Sequence, residues 1–286
     1  MAIAVTPTRI EAAVKDGDML PPITIINNGN EDITVRAYVG PGGHDLDGTP
    51  ILLAGPEYLT AGPDCLVAGS GQTCTYGIEL LQDKVRISPG GSEKVLARVR
   101  VPDGAKGGLY PVIYLECAAP GTVGGAGISP ISRVAVLTLL RLPGAIPGGL
   151  KARSLSVTQD SPGQPLSLEL TVENTGNVHY YAMAFARIES QSGEIVATFP
   201  MQAAIVLPGC ARRITGSWEP GAAPPGIYRA SAQLLPGNSE DQLAWHAEDM
   251  EDGRVVTTEF VMPAAAQLAL KEHNSRSQGI DPEGSE

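Results

Sequence analysis

The chain has 286 residues, 43% of them hydrophobic, with 31 acidic against 20 basic side chains and a net charge of −11. That is long and apolar enough for two domains of ordinary size. It carries no basic stripe to displace the counterions of a nucleic-acid duplex, and no run of about 20 apolar residues to cross a membrane as a helix.

The first residues, "MAIAVTPTRIEAAV", lack the basic start and long apolar core of a secretory leader. Either the protein is cytosolic or its leader has been removed. Gly 34 and Pro 24 supply turn formers at a density that suits many short strands rather than long helices. Ile3–Val14 reads as the first strand. In "ITIINNGNEDITVRAYV" (Ile23–Val39), Ile23 and Ile25 share one face. Ile33, Val35, Ala37 and Val39 share another, with Thr34 and Arg36 turned away. Period 2 with one apolar face predicts sheets buried on one side. The Asn-Gly pair between the runs predicts a turn with positive φ.

"HDLDGT" (His44–Thr49) places Asp45 and Asp47 two apart before a glycine, a weak candidate calcium loop that lacks the downstream glutamate of an EF-hand. The acidic run Glu248–Asp252 is a weaker candidate still. The Gly-rich "CLVAGSGQTC" holds Cys65 and Cys74. Four cysteines allow three pairings. Bridging these two would close a short loop worth roughly 2.5–3 kcal/mol in the chain-entropy model, so Cys65–Cys74 is the expected disulfide and Cys117 and Cys210 the expected free thiols. "KVLARVRV" alternates again, Gly108-Leu109-Tyr110 opens a late strand, and "GTVGGAGISP" (Gly121–Pro130) reads as a hairpin loop. "SRVAVLTLLRLPGAI" is the last strand of the first domain. The Pro- and Gly-bearing "RLPGAIPGGL" marks the boundary.

The second half repeats the plan. Leu166, Leu168, Leu170 and Val172 alternate with Ser167, Glu169 and Thr171 in front of "ENTGNVHYYAMAFARI", and Gly226-Ile227-Tyr228 matches the earlier Gly-x-Tyr. Pro89 to Tyr110 and Pro208 to Tyr228 are nearly equal spans, whereas the first copy carries about 28 extra residues before its Pro-Gly turn. A Tyr at the start of a late strand is the mark of a tyrosine corner, and about seven strands per copy predict immunoglobulin-like sandwiches. The expected fold is all-β: two tandem immunoglobulin-like β-sandwiches with a short C-terminal helix or disordered tail. The domains are 1–142, with a disulfide-bearing insert at about 40–82; 150–263; and an acidic flexible tail, 264–286. Residues 237–286 carry 11 acids against 3 bases, so the acidity is concentrated there.

These motifs resemble two families of tandem immunoglobulin-like bacterial surface or periplasmic proteins. Ile3, Val5, Pro7, Arg9 and Glu11, then Asn27-Asn28-Gly29, Pro89-Gly90 and Pro102 to Tyr110 are similar to the WxL-interacting-protein type. Thr8-Arg9 on the first strand, with Arg141 and Pro143 ending the last strand of domain one, resembles the PapD-like pilus chaperones. That resemblance implies that Arg9 grips the terminal carboxylate of a subunit. The family's partner lysine on the last strand is absent, leaving only Arg133 at its start.

No catalytic motif occurs, neither H-E-x-x-H nor G-x-S-x-G. His179 is expected at the surface and Trp218 in a core. Trp245, in the acidic "WHAEDMEDG", is a candidate partner contact beside Arg9. The expected function is that of a non-enzymatic extracellular or cell-surface binding protein, without cofactor or metal. It would engage a protein partner or itself, assembling by strand addition through Ile3–Val14. The alternatives are a PapD-like chaperone for pilus or surface subunits and a carbohydrate-binding accessory module. The last would need an aromatic platform, which 5% aromatic content does not favour.

Overall fold

A computed structural model describes residues 3–52, 77–118, 131–144, 149–159, 164–221, 223–237 and 254–262, and every regular element among them is a β-strand. The chain packs as two compact units. The first is Met1–Gly149 with Thr175–His179 and Leu207–Cys210; the second is Leu150–Asn174, Tyr180–Val206 and Ala211–Glu286.

In the first unit the strands run β1 (Ile3–Thr6), β2 (Arg9–Ala13), β3 (Ile23–Asn27), β4 (Ile33–Gly40), β5 (Gly42–His44), β6 (Pro50–Leu52) and β7 (Ile78–Leu80). They continue as β8 (Lys84–Ile87), β9 (Ser92–Val95), β10 (Ala97–Val99), β11 (Gly108–Leu109), β12 (Val112–Ala118) and β13 (Ile131–Arg141). One layer is β1-β3-β9, continued by the β10-β7 pair; the other is β11-β13-β12-β4-β8. The alternation read from the sequence sets the layers face to face. Ile23, Ile25, Val95, Ala97 and Val99 meet Val35, Ile87, Ile113, Leu115, Val136 and Leu140, all essentially without exposure. Each such aliphatic side chain contributes about 2 kcal/mol on burial.

The first strand changes layer at Pro7. Ile3–Thr6 pairs antiparallel with β3, whereas Arg9–Ala13 runs parallel to Leu137–Arg141 of β13. The Asp45–Thr49 segment is the turn of the β5-β6 hairpin. Asp45 Oδ1 accepts from the Thr49 amide at 2.8 Å and Gly48 has φ +83°, so the Asp45 carboxylate serves the turn's own backbone.

The second unit contains β14 (Leu150–Thr158), β15 (Leu166–Asn174), β16 (Tyr180–Ser190), β17 (Ile195–Pro200), β18 (Ala204–Val206), β19 (Ala211–Trp218), β20 (Gly226–Gly237) and β21 (Val255–Met262). Its layers are β14-β15-β19 and β17-β16-β20-β21, with β18 also on β16. Large residues of β15 (Leu168, Leu170, Val172) and small ones of β16 (Ala182, Ala184, Ala186) are all fully buried. Trp218 is 8% exposed and clusters with Tyr228 and Phe260. Both units are immunoglobulin-like sandwiches.

One clamp recurs in the chain. The amide nitrogen of buried Asn27 donates to Ile87 O at 3.1 Å and to Glu31 O at 2.8 Å. That of buried Asn174 donates to Val206 O at 2.8 Å. Ile87 and Val206 each lie just before a Pro-Gly turn whose glycine has positive φ, +70° at Gly90 and +71° at Gly209. The Asn-Gly site itself departs from the sequence expectation. Asn27 Oδ1 accepts from the Gly29 amide at 2.9 Å and Gly29 has no positive φ; an Asx turn replaces the left-handed residue. Tyr228 makes the expected tyrosine corner, donating to Pro224 O at 2.7 Å. The Tyr110 hydroxyl meets the His179 backbone amide at 2.6 Å.

Candidate functional site: a half-covered strand edge beside Arg9

The site begins with the register of β13. Along Ile131–Leu137 one edge of this strand is taken by β12, antiparallel. On the opposite edge β2 pairs only with Leu137–Arg141. The Leu137 amide donates to Thr8 O at 2.9 Å, which fixes the parity. Odd-numbered residues of β13 direct their N–H and C=O groups away from β12. At Ile131, Arg133 and Ala135 those groups face an edge with no paired strand among the described residues. The outward side chains there are mixed. Ile131 is 61% exposed, and Arg133 is ion-paired with Glu116.

Arg133 is thus committed within its own sheet. Its Nε donates to Glu116 Oε1 at 2.7 Å, and Tyr38 Oη donates to the same carboxylate at 2.8 Å. Burial works to raise the Glu116 pKa, but these two donors outweigh it and hold the carboxyl below its ordinary range. Burial, then the Glu116 hydrogen bond, push the Tyr38 phenol up to about 12.

Arg9 is the first residue of β2, registered on Leu137, where the uncovered stretch of β13 ends. Its side chain is 41% exposed and its guanidinium lies 3.9 Å from Glu11 Oε2. The other Glu11 oxygen lies 3.0 Å from Nε2 of His179, which is fully buried rather than at the surface as the sequence suggested. The proton positions follow from the geometry. Tyr110 Oη accepts from the His179 backbone amide at 2.6 Å, so its own hydrogen goes to His179 Nδ1, 3.1 Å away. His179 Nε2–H then donates to Glu11. The Tyr110 hydroxyl thus serves the His179–Glu11 pair. Gly108 is required beneath it, because a Cβ there would lie 2.0 Å from the Tyr110 hydroxyl. Burial lowers the His179 pKa against the opposing pull of Glu11. Nothing in the sequence around "NVHYY" distinguishes this histidine from a solvated one; its partners lie 69 and 168 residues away.

The other candidates are scattered. Asp45 and Asp47 sit in the β5-β6 turn, and among the described residues no group of three His, Cys, Asp or Glu side chains is placed to hold a metal. Cys117 and Cys210 are buried thiols. Cys65, Cys74, Trp245, the 121–130 loop, the Glu248–Asp252 run and the C-terminal 264–286 segment lie outside the described residues. Among the described residues no aromatic side chain is exposed; Tyr38, Phe185, Phe199 and Phe260 are half-buried and the rest buried.

No protein-family model matches this sequence, and no curated protein matches it. Solved structures similar to the chain include the class 5 fimbriae chaperone CfaA, with 12% identity and a TM-score of 0.43 over 92% of this chain and 100% of the other. The Pseudomonas aeruginosa CupB2 chaperone gives 13%, 0.39, 91% and 100%. The E. coli chaperone DraB gives 12%, 0.36, 92% and 98%. At such identities the likeness carries no residue roles.

Proposed function

We propose that this chain is a non-enzymatic strand-binding protein of the PapD-like chaperone type, acting in the cell envelope. It holds an extended segment of a partner protein along the uncovered edge of β13. The observation that carries this reading is the half-covered β13, whose outer edge has no paired strand at Ile131–Ala135 among the described residues and is taken by β2 from Leu137 onward. An incoming strand finds main-chain donors and acceptors already in register there, the physical basis of strand addition. It cannot extend past Leu137, because β2 occupies the edge. Its end therefore arrives at Arg9, and a terminal carboxylate there meets a half-exposed guanidinium.

This reading takes the place of surface assembly by exchange of Ile3–Val14. In this structure that segment is paired with β3 and β13 of its own unit.

The test is a partner recovered from the native envelope as a one-to-one complex. Ala135→Pro removes one outward N–H without touching the β12 ladder, and Arg9→Ala removes the charge. Each is expected to weaken the complex at least ten-fold, since truncating a charged hydrogen-bonding partner costs about 2 kcal/mol or more. A complex indifferent to both substitutions rules the reading out.

A further inference from the structure

The second unit presents another edge, of different character. β21 is the terminal strand of its sheet, paired with β20 over eight uninterrupted residues, Gly226↔Met262 to Gln233↔Val255. Among the described residues no strand pairs with its second edge. Sheet edges are normally defended by Lys, Pro or bulges, and the other edges of this unit are so defended. β14 carries Lys151, Arg153 and a bulge between Ala152 and Ser154. β17 carries a bulge opposite Ile188/Glu189 and ends in Pro200. β19 carries Arg212 and Arg213. "VVTTEFVM" has no Lys, Arg, Pro or Gly and no bulge.

Its outward face is apolar at both ends. Val255 is 43% exposed and Val261 71%, and Val261 is registered on Ile227, itself 45% exposed. Between them Glu259 pairs with Arg229 at 3.6 Å. The even-numbered residues face inward, where Phe260 stacks on Tyr228, so the strand cannot shift register without losing this contact.

The hydrogen-bond parity of the open edge is also fixed. The Leu234 amide donates to Arg254 O, so even-numbered positions bond to β20, while Val255, Thr257, Glu259 and Val261 direct N–H and C=O outward. We propose that this edge pairs antiparallel with the same edge of a second copy of the chain, about a two-fold axis at Thr258. An isologous interface needs a surface complementary to itself, and this strand reads as one. About Thr258, Val255 faces Val261 of the second copy, Val256 faces Phe260 and Thr257 faces Glu259. Both outward pairs are the hydrogen-bonding kind. Neighbouring registers of the same parity fail. A dyad at Glu259 sets two carboxylates opposite each other, and a dyad at Thr257 sets Val255 against Glu259 and leaves Val261 uncovered.

The test is sedimentation velocity of the full chain over a concentration series, with thermal unfolding of each variant. Wild type is expected to pass from monomer to dimer as concentration rises. Val261→Lys, at a solvent-facing position, and Thr257→Pro, whose N–H has no partner on β20, are expected to stay monomeric with unchanged unfolding temperature. Thr257→Lys is expected to tighten the dimer about five-fold, because its ammonium faces Glu259 of the second copy twice per dimer. A wild type that remains monomeric throughout overturns the proposal. So does a dimer unmoved by Val261→Lys, or one that Thr257→Lys leaves unchanged or weakens.

Discussion

Asn27 and Asn174 show how much one side chain sets in these sandwiches. Each is fully buried, and each spends its amide hydrogens on a carbonyl far along the chain, Ile87 O and Val206 O. Asn27→Ala leaves the carbonyls of Ile87 and Glu31 without these donors, and Asn174→Ala does the same to Val206. A buried polar group deprived of its bond costs about 1–3 kcal/mol. Chemical denaturation is expected to register about 2 kcal/mol for either substitution. Asp in place of Asn27 is expected to be no milder, since a carboxylate offers no donor. In the sequence both residues read as turn formers, and they do stand at turns. Their role as long-range clamps was not legible, because acceptors 60 and 32 residues away leave no local signature. The same limit hid His179, whose burial is decided by Tyr110 and Glu11 from remote segments.

At the level of elements, period-2 patterning transmitted well. The inward residues of β3, β4 and β15 are those the alternation names. Which strand neighbours which did not transmit, and the candidate site consists of just that: β2 covering part of β13 and leaving the rest. The Pro-Gly turns were legible in kind. Gly90 and Gly209 both have φ near +70° with open space around the missing Cβ, so alanine there meets only the backbone penalty of the left-handed region, about 1 kcal/mol. Equal small losses from Gly90→Ala and Gly209→Ala are expected in denaturant titrations, and a loss several times larger at either would mean a steric role the geometry does not show. Gly42 is the contrary case. A Cβ there would lie 2.2 Å from Val112 Cγ2, because the β5 strand lies against β12. Gly42→Ala is expected to cost about 1–3 kcal/mol by overpacking. Val112→Ala, destabilising alone, is expected to restore part of it in the double variant, and simple additivity of the two would place the β5-β6 hairpin away from β12.

Over the whole molecule there are four histidines, His44, His179, His246 and His273. The two histidines among the described residues, His44 and His179, both belong to the first unit and both are buried, at 6% and 0% exposure. His44 Nε2 accepts from the Leu207 amide at 3.2 Å while Nδ1 donates to Asp45 O at 2.8 Å, so the ring present is the neutral Nδ1–H tautomer. His179 has its pKa lowered, chiefly by burial. Its folded value is below the unfolded value of about 6.5, so as pH falls through that value the unfolded chain takes up a proton that the folded ring refuses. The stability is complete above about pH 6.5 and drains away as pH falls toward the folded pKa. Calorimetric scans from about pH 8 to 5.5 are therefore expected to show the first unit's transition moving down on acidification, with Asn27→Ala identifying that transition. His179→Gln, which keeps a donor for Glu11 and never ionises, is expected to flatten the first unit's pH dependence. A transition that shifts as much in the variant as in the wild type would take His179 out of the account, leaving the proton uptake to a group other than the one buried against Tyr110 and Glu11.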